Sequence, residues 1–218
     1  MNKEQKQLFW DTMKNLNSTG AFEHIMLIGS WVEYVYEQRI NKFEAHLKTK
    51  DVDFLIKDVR IIKAKNVNIN IPEVFNKMGF SIDVSGWGVM RFHKEGLLEV
   101  EFLQKEVGSS SGSEAKMVKE LGLRTEALRN LEMLSKYSMN ILLNGCNFQI
   151  PSPPAYIIHK MIVGRPKDVI KVVSLIPFVK ANQKEFNLMK EIYNDLFKKQ
   201  KRKVDSFIDN NVLDLDLK

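Results

Sequence analysis

A single cysteine, Cys146, is all that 218 residues provide, so no disulfide framework forms within the chain and a reducing compartment is expected. Only four histidines accompany it, widely spread, which leaves a structural zinc site without ligands. No apolar run approaches the ~18 residues of a membrane-spanning helix. The N-terminus, MNKEQKQLFWDTMKN, lacks the apolar stretch of a signal peptide. These absences predict a cytoplasmic protein without membrane contact. There is no internal repeat, and no activated Ser, Cys or His nucleophile is apparent.

What is present is ordinary in amount. Hydrophobic residues are 44% and charged residues 28%, the composition of a globular protein, and the length suits one large or two small domains. Basic residues are in surplus, giving a net charge of +6. That favours phosphate-bearing partners such as a nucleotide or RNA.

Hydrophobic spacing predicts a helix over 4–17, a strand over 24–29, a helix over 31–40 and a polar loop over 41–50. A strand follows at 51–56, then a short helix from Pro72 to Met78. Residues 80–103 read as strands, with VMRFH and LLEVEFL forming a hairpin. The polar stretch from Glu106 to Ser113 reads as a domain boundary or a mobile loop. Residues 114–135 lean towards helix, 138–150 towards a small hairpin turning at Asn144-Gly145, and 154–163, 167–180 and 183–204 towards helices broken or bounded by Pro166 and Pro177. The expectation is an α/β domain over 1–107 and a mainly helical C-terminal domain over 108–218.

Within this frame one constellation carries chemistry. The apolar run Ile25–Ile28 ends in Gly29-Ser30, and the next apolar run opens with Asp51-Val52-Asp53. Residues i and i+2 of a strand share a face, so Asp51 and Asp53 project side by side while Val52, Phe54 and Ile56 form the opposite face. Paired carboxylates repel unless a cation lies between them, and oxygen donors of this kind suit Mg²⁺. Gly29 permits close backbone approach. Ser30 stands where a helix begins, suited both to capping and to phosphate. Lys48 and Lys50 flank Thr49 just before the carboxylates. Glu99 and Glu101 share one face of a later strand, and Arg91 and His93 share one face of the strand before it. The run from Lys198 to Lys203 reads as a solvated helix end whose cations complement the dipole, or as an RNA contact.

The order strand, Gly-Ser, helix, strand with Asp-x-Asp resembles the nucleotidyltransferase fold of the DNA polymerase β superfamily. The segment LEVEFL (Leu98–Leu103) is similar to that superfamily's third-carboxylate strand, with Glu101 at the matching position. PSPPAYIIHKMI, Arg165 and KDVIKVV resemble the C-terminal helical region of the stand-alone bacterial branch. The resemblance implies an α/β (α+β) mixed sheet with flanking helices, followed by a mainly helical C-terminal domain. It also implies a metal-dependent transfer of a nucleotidyl group from a nucleoside triphosphate to tRNA, a protein or a small molecule. Asp51, Asp53 and Glu101 would then be catalytic and hold Mg²⁺ or Mn²⁺. Gly29, Ser30, Lys48, Lys50, Lys160 and Lys167 would contact the nucleotide. Two positions depart from the pattern: the second glycine after Gly-Ser is missing, and the third acid is Glu rather than Asp. They support the alternative, a non-catalytic nucleotide-, RNA- or protein-binding module such as a toxin–antitoxin component.

Overall fold

Apolar and polar residues alternate in the strands that bury Val52, Phe54, Phe92, Val100 and Phe102 and leave Asp51, Arg91, His93, Glu99 and Glu101 at least partly exposed, whereas Ile25–Ile28 is buried on both faces. The computed structural model describes residues 2–46, 49–106 and 115–217. Lys48 and the stretch carrying the expected 107/108 boundary lie outside the described residues. The chain divides into two compact units, one of residues 1–32, 47–132 and 140–150, the other of 33–46, 133–139 and 151–218.

The first unit is built on a seven-stranded mixed sheet. Strands β1 (Ile25–Ile28), β2 (Asp51–Ile56), β3 (Ser81–Val84), β4 (Met90–Lys94) and β5 (Leu98–Lys105) lie in the order β1-β2-β5-β4-β3. β2 and β5 run parallel; β1–β2, β3–β4 and β4–β5 run antiparallel. β6 (Lys116–Val118) pairs with β7 (Leu123–Leu128), which runs parallel to the end of β5 from Leu103 onward. One face of the sheet carries Val52, Phe54, Phe92, Val100 and Phe102, all buried. Phe54 stacks on Phe102 at 5.4 Å, and Phe75 from helix α4 (Ile71–Lys77) stacks on Phe92 at 4.4 Å. Each such ring contributes about 1.5–3 kcal/mol by leaving water. Helix α1 (Lys3–Ser18) is started by a reciprocal Asn2–Gln5 capping box and lays Phe9 on Trp31 at 4.4 Å. Helix α2 (Trp31–Glu37) begins in this unit and continues into the second. The short α3 (Val59–Ala64), capped by Asp58, follows β2.

The second unit is mainly helical. Most of α5 (Glu132–Lys136) belongs to it, whereas residues 140–150 of the hairpin β8 (Ser138–Leu143) with β9 (Cys146–Pro151) belong to the first unit; α6 (Pro153–Val163), α7 (Val169–Ala181), α8 (Gln183–Asn194) and α9 (Lys198–Asn210) complete the second. α6 packs on α7, α8 and α9. Charges are buried in this unit in pairs. Glu33 lies 2.9 Å from Lys171 and accepts a hydrogen bond from the Tyr156 hydroxyl. Asp168 lies 3.2 Å from Lys160 and 3.1 Å from Arg165. Breaking such a pair strands a buried charge and costs about 3–5 kcal/mol.

The fold class matches the sequence expectation, while several elements differ. Within the span 114–135, expected to lean towards helix, strands β6 and β7 flank a single 3-10 turn (Lys119–Leu121), and an α-helix starts only at Glu132. Pro177 lies inside α7 rather than ending it; the hydrogen bond it removes would have used the carbonyl of the half-exposed Val173, which water can satisfy. The helix expected over 183–204 is two helices, interrupted where Phe197 adopts an extended backbone (φ −64°, ψ 152°). The basic run from Lys198 therefore opens a helix instead of closing one, where the dipole opposes it.

Candidate functional site

Two rows of polar side chains cross the sheet face opposite the phenylalanines. In one row the register sets Asp53 of β2 beside Glu101 of β5, and Glu101 beside Arg91 of β4. In the other, Asp51 stands beside Glu99 and Glu99 beside His93. Four carboxylates from two parallel strands thus form a block, and two basic side chains from the antiparallel strand border it. Like charges directly opposite one another weaken a sheet, so the apolar face holds this pairing together.

Gly29 explains itself through Asp53. Its φ is +70°, a left-handed conformation that side chains rarely adopt, and a Cβ built on it would lie 1.9 Å from Asp53 Oδ2. The glycine leaves the room in which the carboxylate sits. Ser30 follows at once and opens α2, whose seven residues make only a small dipole. Asp51 is exposed at the strand start. The Thr49 hydroxyl donates to its Oδ2 at 2.7 Å, and the Asp51 amide donates to the Thr49 oxygen at 3.1 Å. Lys50 is exposed, and its carbonyl accepts from the Glu99 amide at 3.0 Å, which starts the parallel ladder.

Glu101 lies against a positive charge. Arg91 Nε lies 2.6 Å from its Oε1, and another Arg91 nitrogen lies 3.9 Å from Glu99. His93 Nδ1 lies 3.6 Å from Glu99. Burial raises the Glu101 carboxyl above its ordinary pKa. Arg91 opposes the shift, and the charges of Glu99, Asp51 and Glu126 add to it. Among the described residues, no three His, Cys, Asp or Glu side chains are gathered tightly enough to hold a metal ion between them; Glu101 lies against Arg91. By donor type and by register the block nonetheless suits a hard divalent cation, with carboxylate oxygens in adjacent places on neighbouring strands.

Lys160 and Lys167 belong to the second unit. Lys160 is buried and paired with Asp168, and burial lowers its pKa. Lys167 is exposed in the turn Pro166–Asp168. The neighbouring His159 is pushed down to about 3, first by desolvation and then by Lys160, so its imidazole is neutral. Sequence reasoning placed Arg91 and His93 on one face without assigning their partners, and it gave Thr49 no role.

A family model described as Nucleotidyltransferase matches residues 8–172. The chain belongs to the nucleotidyltransferase family. The matched segment contains Gly29, Ser30, Asp51, Asp53, Glu101, Lys160 and Lys167, and it stops before the basic run of α9. An antigenic nucleotidyltransferase-like protein from Paracoccidioides brasiliensis has a similar solved structure, with a TM-score of 0.51 at 15% identity, covering 92% of this chain and 88% of that one. At that identity the likeness is one of nucleotidyltransferase fold alone. The antibiotic-resistance factor ANT(2'')-Ia aligns with a TM-score of 0.42 at 11% identity, over 97% of this chain and 95% of that one. No curated protein matches this nucleotidyltransferase family member.

Proposed function

We propose that the protein is a metal-dependent nucleotidyltransferase that moves a nucleotidyl group from a nucleoside triphosphate to an acceptor hydroxyl. The observation that carries this reading is the register that sets Asp53 beside Glu101, with Asp51 on the same face and Gly29 shaped around the Asp53 carboxylate. Asp51, Asp53 and Glu101 would hold the Mg²⁺ or Mn²⁺ that such enzymes use. A cation held there would neutralise phosphate charge and lower the pKa of the attacking hydroxyl. The protein's own part is positioning, which this chemistry needs more than a covalent nucleophile. Gly29 and Ser30 let backbone approach phosphate. Contacts from Lys48 and Lys50 to the nucleotide belong to the same proposal. The acceptor is tRNA or another RNA, a protein, or a small molecule.

A second reading, a binding module of toxin–antitoxin type that engages nucleotide, RNA or a partner protein without catalysis, draws on the Arg91–Glu101 pair and the missing second glycine. One experiment separates the two. The protein is incubated with labelled nucleoside triphosphates, Mg²⁺ or Mn²⁺, and total RNA or lysate. The enzyme reading expects label on one acceptor class, lost in Asp51→Asn and Asp53→Asn while both variants melt level with or slightly above the wild type without metal. Absence of label, together with no thermal shift from any of the four triphosphates, sinks it; a thermal shift without label supports the binding module.

A further inference from the structure

Glu101 has two neighbours of opposite kind. Across the parallel ladder stands Asp53, and across the antiparallel ladder stands Arg91. The Arg91 contact is close, 2.6 Å from Nε to Oε1, yet that buried Nε makes no aligned hydrogen bond. It is an attraction of charges rather than a geometrically locked fork. The same guanidinium reaches within 3.9 Å of Glu99. A single cation therefore serves two of the four clustered carboxylates, and it does so from the strand that supplies none of them.

We propose that Arg91 is a built-in competitor of the divalent cation: it occupies Glu101 in the metal-free protein and so sets the cation concentration at which Asp51, Asp53 and Glu101 fill. The inference rests on the reading of those three residues as metal ligands. Its physical basis is that a carboxylate sharing its charge with a guanidinium gives less of it to a divalent ion, and Arg91 blocks the Oε1 oxygen it lies against. The neighbouring acids favour the ion with more charge, so Arg91 delays occupancy without forbidding it. Removing Arg91 leaves Glu101 facing Asp51, Asp53 and Glu99 with one counter-charge fewer, and the pull on a divalent cation increases.

The test is Mn²⁺ binding to the full chain without nucleotide, read as free Mn²⁺ by electron paramagnetic resonance. Arg91→Gln should bind Mn²⁺ at least about threefold more tightly than the wild type, the size expected when a half-exposed pair stops competing. Arg91→Lys keeps the charge but loses the Nε that reaches Glu101, and should tighten binding by a smaller step; it decides the matter if Arg91→Gln fails to fold. Lys105→Gln removes a positive charge from the same strand as Glu101, but from a lysine paired with Glu132 at 3.6 Å, and should change affinity less than about twofold. In a Glu101→Gln background, Arg91→Gln should tighten binding by a smaller factor, the part that acts through Glu99. Mn²⁺ binding that Asp53→Asn abolishes, but that the Arg91 variants leave equal or weaker, overturns the competitor and spares the metal site. No Mn²⁺ binding by wild type or variants overturns both.

Discussion

At the scale of single residues, the site depends on a backbone conformation as much as on its acids. Gly29→Ala should cost about 1–2 kcal/mol for the left-handed backbone alone, and its new methyl must also push the Asp53 carboxylate aside. We expect a lower melting temperature together with loss of Mg²⁺-dependent triphosphate binding. A variant that binds like the wild type would show that Asp53 does not need its observed place. Asp58 offers a test of acid stability away from the site. Its side chain caps α3 and pairs with Arg60, and these hydrogen bonds hold its carboxyl down to about 2 from 3.8. A lowered folded-state pKa stabilises above the unfolded value, so the contribution is intact above 3.8 and is lost as pH falls from 3.8 to about 2. Asp58→Asn keeps a capping oxygen without titrating. Its melting temperature should fall less steeply than that of the wild type across that window, and parallel curves would remove Asp58 from the acid transition.

At the scale of elements, Phe197 is a helix N-cap that lacks a capping acceptor. Its backbone is already extended and its amide donates to Gln200 Oε1 at 3.0 Å, half of a capping box. Phe197→Ser should complete the box and raise stability by about 1 kcal/mol in chemical denaturation; a loss would mean that the exposed ring contributes packing. This element also shows where sequence reading stops. No glycine or proline marks the break before Lys198, so the helical pattern reads through it; across the break the Tyr193 hydroxyl donates to Asp205 at 2.7 Å and Lys201 lies over the Tyr193 ring. Residues 116–128 mislead for a different reason. Lys, Glu, Met and Leu there favour helix locally, and pairing with β5 overrides them. By contrast, the alternation of Val52, Phe54 and Ile56 with Asp51 and Asp53 is strong enough to read both the strand and which side of it the two aspartates share. The positions of Arg91 and His93 were half legible: their common face follows from alternation, and their partners Glu101 and Glu99 follow only once the Glu95–Leu97 turn, with Gly96 at φ +70°, has set the hairpin register.

At the scale of the whole molecule, the surplus of six positive charges has a measurable consequence if the acceptor is RNA. Replacing Lys199, Lys201 and Arg202 with Gln should weaken tRNA binding and flatten the slope of log affinity against log salt by roughly one unit per lost phosphate contact. Binding equal to that of the wild type between ~50 and 200 mM salt would leave the start of α9 as solvated charge and favour a protein or small-molecule acceptor. The pairing of β2 with β5 has a consequence of another kind. Two strands far apart in the chain must meet in parallel with Asp51 facing Glu99 and Asp53 facing Glu101, so the encounter that closes the sheet is electrostatically uphill before Phe54 and Phe102 can reward it. Raising ionic strength from ~10 mM to ~0.15 M shortens the screening length from ~30 Å to ~8 Å, and stopped-flow refolding should accelerate over that range. Asp53→Asn should refold faster than the wild type with a weaker dependence on salt. A refolding rate indifferent to salt in both would place this pairing after the barrier, and the protein would then gather its negative charge only once its fold is already secure.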